Sequence, residues 1–355
     1  MSYEQNVRRV VPYTPGEQFK DKNIVKLNTN ENPYPPAPGV ERVFRELDSD
    51  YLRLYPDPTV NDLVEAIAEY HGVNNDQVFV GVGSDDVIAM AFLTFFNSDK
   101  PILFPDITYS FYDVWADLYR IPYKTCPLTN DFEISAEDYK VENGGIIIAN
   151  PNAPTGVLQP VSMIEEILIA NPDVVVMVDE AYIDFGGQTS LPLLDKYENL
   201  LVIRTFSKSR SLAGLRIGYA VGNAKMIKFL NDVKFSYNSY TMNYPTICMG
   251  VESVKDDEYF VAMCDRIVAT RERSKKELKN LGFDFKDSMT NFIFAKHESV
   301  KAGVIFNELK SRGIFVRYWN KPRIDNYLRI SIGTDEEMDK VFVNLKEILE
   351  QQKIV

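Results

Sequence analysis

Leu200-Leu201-Val202-Ile203-Arg204-Thr205-Phe206-Ser207-Lys208-Ser209-Arg210-Ser211-Leu212-Ala213-Gly214-Leu215-Arg216-Ile217-Gly218 is an apolar run that stops abruptly in a polar loop. Four consecutive aliphatic residues, 200–203, suit a strand buried on both faces, as in a parallel sheet covered by helices on either side. The loop that follows carries one lysine, Lys208, with Arg210 and Arg216 close by in sequence. Open α/β sheets bind ligands beyond the carboxyl ends of their strands, where this loop lies. A lysine amine that attacks a carbonyl needs partial desolvation and cationic neighbours to lower its pKa. From spacing alone, a solvated lysine in a basic loop is the slightly better reading.

Working outward, residues 77–80, 101–104, 145–149 and 174–178 form further short apolar runs, and amphipathic stretches such as 161–170 separate them. This alternation predicts a mainly parallel sheet with crossover helices. Val60, Leu63, Val64, Ile67 and Ala68 have helical spacing, with Thr59 as the expected N-cap, His71 as the last residue and Gly72 as the stop. Prolines at 33, 35 and 36 forbid a helix and predict an extended arm over residues 1–36. Beyond residue 245 the pattern changes to one long helix over 248–281, short segments at 291–295, 314–318 and 327–332, and a last helix over 336–351 with Met338, Phe342, Leu345 and Leu349 on one face. The expected organisation is α/β: an arm (1–36), a large domain (37–245) and a smaller α+β domain (246–355).

Bulk properties exclude several classes. A formal net charge of −12 disfavours phosphate backbones and anionic membranes, so neither nucleic acid nor a membrane is expected as a partner. Cys126, Cys248 and Cys264 are odd in number and far apart, which fits neither a disulfide framework nor a metal knuckle. His71 and His297 have no ligand-spaced companions, so no metal site is expected. The amino terminus has no apolar signal segment and no run reaches membrane-spanning length, which points to the cytoplasm.

Three polar clusters each follow an apolar run: Asn150-Pro151-Asn152-Ala153-Pro154-Thr155-Gly156, then Asp179-Glu180-Ala181-Tyr182, then the Lys208 loop. One such cluster is ordinary turn chemistry. Three at the same end of a sheet, with a lysine last, point to one site. Gly81-Val82-Gly83-Ser84-Asp85-Asp86 opens a helix after another strand, so backbone N–H groups and the helix dipole face an anion there. The third glycine of a dinucleotide fingerprint is missing, which weighs against a Rossmann oxidoreductase.

With these motifs the chain resembles a fold-type I pyridoxal-phosphate aminotransferase of the class II subfamily, and its details are similar to the histidinol-phosphate branch. The likeness runs from Asn28-Thr29-Asn30-Glu31-Asn32-Pro33 through Tyr55-Pro56-Asp57 and the three clusters to Leu328-Arg329-Ile330-Ser331-Ile332-Gly333-Thr334. It implies a seven-stranded, mainly parallel sheet flanked by helices and a homodimer. Lys208 would carry pyridoxal 5'-phosphate as a Schiff base and shuttle the substrate proton. Asp179 would keep the ring nitrogen protonated, and Tyr182 would hydrogen-bond the ring's phenolate oxygen. Gly83, Ser84, Asp85, Thr205, Ser207 and Arg216 would hold the phosphate, and Tyr109 would stack on the ring. The family commonly has asparagine where this chain has Ala153, which leaves Asn152 or Tyr182 alone to serve that oxygen.

For substrate, the resemblance implies Arg329 and Arg317 at the anionic end, Tyr13 and Asn28 near the pocket, and Tyr55 reaching across the dimer interface. The implied reaction is amino transfer between L-histidinol phosphate and 2-oxoglutarate in histidine biosynthesis. Aromatic amino-acid transamination and phosphothreonine decarboxylation remain open on the same scaffold, as does a non-catalytic cofactor-binding module.

Overall fold

The computed structural model describes residues 2–18 and 24–352. In chain order the strands are β1 (Val25–Lys26), β2 (Val78–Gly81), β3 (Ile102–Pro105), β4 (Tyr123–Cys126), β5 (Gly145–Ala149), β6 (Val176–Asp179), β7 (Leu200–Thr205), β8 (Gly218–Gly222), β9 (Phe283–Phe285), β10 (Phe292–His297), β11 (Ile314–Phe315), β12 (Arg317–Tyr318) and β13 (Leu328–Ser331). The helices are α1 (Pro38–Glu46), α2 (Asn61–His71), α3 (Ser84–Phe95), α4 (Tyr112–Tyr119), α5 (Val161–Ala170), α6 (Ala224–Tyr237), α7 (Tyr244–Lys255), α8 (Asp257–Asn280), α9 (Ala302–Ser311) and α10 (Asp335–Gln352).

The seven-stranded sheet has the order β2-β8-β7-β6-β5-β3-β4. β4, β3, β5, β6 and β7 run parallel, and β8 is antiparallel to both its neighbours. Every residue of β5, β6 and β7 is buried, which is why these strands read as unbroken apolar runs. Ile147, Met177, Leu201 and Ile203 pack on one face with Val87, Ala91 and Trp115 from α3 and α4. Ile146, Ile148, Val176, Val178 and Val202 pack on the other with Ile164, Ile167 and Leu168 of α5.

A second sheet, β12-β13-β10-β9, is antiparallel and shares a core with α8, α9 and α10. The arm joins this layer: β1 pairs in parallel with β11, and Leu27 N donates to Phe315 O (2.8 Å). Its residues 19–23 lie outside the described residues.

The structure alters four local expectations. Thr59 does not cap α2; Val60 precedes the helix at φ 55°, and the Asp57 carboxylate accepts from both Thr59 N (2.9 Å) and Asn61 N (2.8 Å). A carboxylate within reach of two free amides displaces the weaker hydroxyl. The single helix expected over 248–281 is two helices that break at Asp256, whose side chain caps α8 through Tyr259 N (3.1 Å). α7 packs Ile247, Met249 and Val254 against Leu63, Ile67 and Val80, on the large sheet's side. We therefore propose that the smaller domain begins near Asp256 rather than at 246. Finally, residues 314–318 form two short strands on different sheets, because β11 meets the arm and β12 meets β13.

Gly218 lies where β8 passes beneath the first turn of α3. A Cβ there would stand 2.1 Å from Ser84 N and 2.3 Å from the Gly83 carbonyl carbon, both backbone atoms that cannot turn aside. We predict that Gly218→Ala costs about 1–3 kcal/mol of stability by overpacking. Urea titration checks this, and an unchanged midpoint would refute the close approach.

Candidate active site

The parallel register sets Ala149 and Asp179, the last residues of β5 and β6, beside Ile203 of β7, which ends two residues later at Thr205. Two adjoining cavities, of about 100 Å³ and about 630 Å³, open there and share Tyr109, Ala153, Tyr182 and Lys208 in their walls. Lys208 Nζ donates to the Thr29 carbonyl (3.1 Å) and lies 5.8 Å from the centre of the Tyr182 ring. Asp179 is buried; it accepts from Tyr112 Oη (2.9 Å) and Ala181 N (3.1 Å). Burial raises its carboxyl to about 6, against the lowering effect of those two hydrogen bonds. Tyr182 Oη accepts from Asn30 Nδ2 (2.9 Å), and its ring stands edge-on to Phe292.

At the far end of the smaller cavity, Gly83 adopts φ +89°, and a Cβ there would meet Arg216 Nη2 at 2.5 Å. The bare backbone lets the guanidinium lie against the first turn of α3, which starts at Ser84. Arg216 pairs with Asp85 Oδ2 (3.1 Å) and donates to Ser207 Oγ (3.5 Å), while Thr205 Oγ1 accepts from Ser207 N (3.1 Å). Asp85 also accepts from Tyr109 Oη (2.8 Å). Burial, with that carboxylate, pushes the Tyr109 phenol well above its ordinary range. This end offers helix amides, hydroxyls and a guanidinium to an anion. The other end offers a buried carboxylate that lacks a cation, with a lysine between the two. A flat ring bearing a basic nitrogen, a carbonyl and a phosphate fits that donor set.

The larger cavity is lined by Tyr13, Asn28, Arg317 and Arg329, and also by Trp319, Lys321 and Arg323. Arg329 Nη2 donates to Asn28 O (2.9 Å), its Nε has no protein partner, and burial pulls its pKa below the ordinary guanidinium range. Arg317 Nη2 donates to Thr14 O (3.3 Å) and sits 5.3 Å from the Trp319 ring centre. Tyr13 stacks on Phe111 at 4.1 Å. Arg323 is committed to Asp106 (2.8 Å) and to the Leu128 and Thr129 carbonyls.

Two expected residues are not brought to these cavities. Asn152 is buried in its own loop, where Nδ2 donates to Ile107 O (2.9 Å) and Thr155 Oγ1 (3.0 Å) and Oδ1 accepts from Thr108 (2.8 Å). Its amide is fully committed, so it cannot make up for Ala153. Tyr55 is exposed and packs on Tyr240 (4.7 Å), away from both cavities within one chain. Conversely, Tyr112, Trp319 and Lys321 stand at or beside the site without any local sequence signal, and the resemblance assigns no role to Asn30, which lies within its 28–33 stretch.

Fold and cavity together define a fold-type I transferase architecture. The chain belongs to the aminotransferase class I and II family, whose profile matches residues 22–345, and it is an enzyme of that family. It is 52% identical over 353 residues to a histidinol-phosphate aminotransferase of Lactococcus lactis subsp. cremoris (strain MG1363), covering 99% of each chain. It is 51% identical over 350 residues to histidinol-phosphate aminotransferase 1 of Hydrogenovibrio crunogenus, covering 99% of this chain and 98% of the other. A solved structure of histidinol-phosphate aminotransferase from Sinorhizobium meliloti in complex with pyridoxal-5'-phosphate superposes with a TM-score of 0.85 at 24% identity, over 92% of this chain and 91% of that one. Among the described residues, no helix is long and apolar enough to cross a membrane.

Because the Asp179 carboxyl is raised to about 6 from an ordinary 3.8, its contribution to folding is fully present below about pH 4 and is lost as pH rises through 6. We predict that Asp179→Asn makes the cofactor-free protein more stable than wild type at pH 8, by at most about 3 kcal/mol. At pH 4 the gain should vanish. Thermal unfolding across this range measures it, and a gain independent of pH would rule out a buried charge as the cause.

Proposed function

We propose that this aminotransferase holds pyridoxal 5'-phosphate on Lys208 and moves an amino group between L-histidinol phosphate and 2-oxoglutarate, as a step of histidine biosynthesis. The observation that carries this reading is the pair of adjoining cavities, one lined by Arg216 and Asp179 and the other by Arg317 and Arg329, with Lys208 in the wall of both. The pair joins two anion-binding ends through one reactive amine. When bound, pyridoxal phosphate supplies an electron sink for the charge that develops at the substrate's α-carbon.

The remaining work falls to the chain. Asp179 keeps a proton on the basic nitrogen set against it, since a cation there offsets the cost of its buried charge. Gly83, Ser84, Asp85, Thr205, Ser207 and Arg216 hold the cofactor phosphate, with Asp85 orienting the guanidinium. Tyr109 covers a ring face, and Tyr182 donates to the ring oxygen. Lys208 Nζ, set free when the donor's amine takes its place on the cofactor, would take the proton from the substrate's α-carbon and pass it to the cofactor, and would return one to that carbon in the reverse half-reaction. Arg329 and Arg317 bind the donor's phosphate, and Tyr13 and Asn28 close that end. An aromatic amino acid would leave the second guanidinium without a charge to meet, so the phosphate donor is the better fit.

Lys208→Ala should lose the visible absorbance of protein-bound pyridoxal phosphate and lower kcat by roughly 10²–10⁴-fold. Arg317→Ala should lower kcat/KM about 10–100-fold for histidinol phosphate but little for phenylalanine. A donor panel with 2-oxoglutarate measures both. Preference for phenylalanine by wild type would end the donor assignment and leave the chemistry standing.

A cytoplasmic homodimer completes the proposal. Tyr51, Leu52, Leu54, Tyr55 and Tyr240 are large apolar side chains exposed on one chain, a patch of the kind that marks a protein interface. Tyr55 would then reach the partner's site. Sedimentation should give twice the mass of one chain, and inactive Lys208→Ala chains mixed with inactive Tyr55→Ala chains should regain activity. A monomer that is fully active would overturn this part.

A further inference from the structure

Asn30 sits in the arm with φ 57° and is only 1% exposed, yet every polar atom it owns is engaged. Its N–H donates to Ser331 Oγ (3.0 Å), and its carbonyl accepts from Asn291 Nδ2 (3.0 Å). Ser331 Oγ donates in turn to Asn30 Oδ1 (2.9 Å), which leaves Nδ2 to donate to Tyr182 Oη (2.9 Å). Turning the amide over would strand the serine proton, so the hydrogen-bond pattern fixes its direction.

The consequence falls on Tyr182. A phenol has one proton, and with Asn30 donating into its oxygen that proton has to point elsewhere. The cavity is the open direction, and the residues that line it from the ends of β5 and β6, Ala149, Pro151, Ala153 and Ala181, bring no side-chain donor. The neighbouring residue Thr29 holds Lys208 Nζ through its carbonyl, so two consecutive arm residues govern the orientation of two reactive groups.

We propose that Asn30 is a positioning residue: its amide turns the Tyr182 hydroxyl into the cavity, where it donates to the ring oxygen of pyridoxal phosphate in place of the donor that Ala153 cannot supply. This rests on the reading of the cavity as a pyridoxal-phosphate site. The charged and titratable groups around Tyr182 are Lys208, Arg329, Tyr109 and Tyr112, with Asp179 three residues away in sequence. The substitutions below leave all of them in place.

The experiment follows the visible absorbance of protein reconstituted with pyridoxal phosphate as pH is varied. Asn30→Gly keeps the left-handed backbone without strain and removes only the amide. Its spectral midpoint should rise by about 1–2 pH units, the worth of one hydrogen bond to a charged oxygen, and its affinity for added pyridoxal phosphate should fall several-fold. Adding Ala153→Asn to that background should bring the midpoint at least halfway back, because an amide then donates from the opposite side, and should shift it less in wild type, where Tyr182 already donates; equal shifts in the two backgrounds would mean a merely structural role for Asn30. Should the glycine variant not fold, Asn30→Asp preserves shape and backbone while drawing the Tyr182 proton away from the cavity, and its midpoint should rise as well. Midpoints unchanged from wild type in a folded variant would overturn the proposal. A wild-type protein with no visible band would overturn the cofactor reading beneath it.

Discussion

Parallel register across β5, β6 and β7 is the constraint from which the site follows. Hydrogen bonds continue one residue past β5 and β6, from Asn150 N to Asp179 O (2.8 Å) and from Glu180 N to Ile203 O (2.9 Å), so these two strands leave the sheet at one level while β7 runs two residues further, to Thr205, against β8. Behind that level the sheet buries a group of charges. Arg204 reaches Glu180 (3.0 Å) and Asp184 (2.8 Å), and Ser209 Oγ donates to Asp184 Oδ2 (2.6 Å). A buried pair, Arg204 with Glu180, beside the partly buried Asp184 is expensive unless each hydrogen bond is made, and removing one partner leaves an uncompensated charge. The arrangement ties the residue after Lys208 to the loop after Asp179, which holds the lysine and the carboxylate in fixed relation.

The second layer acts on the same level from above. Arg329 leaves β13 to donate to Asn28 O, Ser331 closes on Asn30, and β1 is stitched to β11. The arm is therefore a third wall of the cavity, held by the smaller sheet and offering backbone and amide groups to the larger one. A segment whose prolines forbid regular structure suits this use, because its unpaired backbone groups are free to meet side chains from both layers.

Lys208, Asp179, Tyr182, Arg216 and the Gly83-Ser84 turn were legible because each lies within a few residues of a buried strand, where local pattern carries the signal. The two sheets and their helices were legible for the same reason, although the roles of these residues came from family resemblance rather than from spacing. Asn30, Ser331 and Tyr112 were not. Asn30 meets Tyr182 across 152 positions in sequence and Tyr112 meets Asp179 across 67, and no periodicity marks a side chain whose partner is that remote. Asn152 misled for the opposite reason: an amide in a turn is drawn to its own backbone as readily as to a ligand, and here the loop took all of it. The break at Asp256 was missed because apolar residues keep helical spacing on either side of it.

The acidic balance of the chain runs against the anions this site is suited to hold. With 51 acidic against 39 basic residues, an extended polyanion meets repulsion over most of the surface. A small phosphate or dicarboxylate meets only what lies within a Debye length of about 8–10 Å. Within the two cavities that local set is Lys208, Arg216, Arg317, Lys321, Arg323 and Arg329. Against it stand Asp113, Asp106 paired with Arg323, Asp85 paired with Arg216, and Asp179, whose charged form burial disfavours. Net charge thus excludes long polyanions, whereas the sign of the site is set by cations that the fold gathers from strand ends far apart in sequence. The surrounding negative surface sharpens the contrast, since the cavity is where a small anion gains most by leaving water.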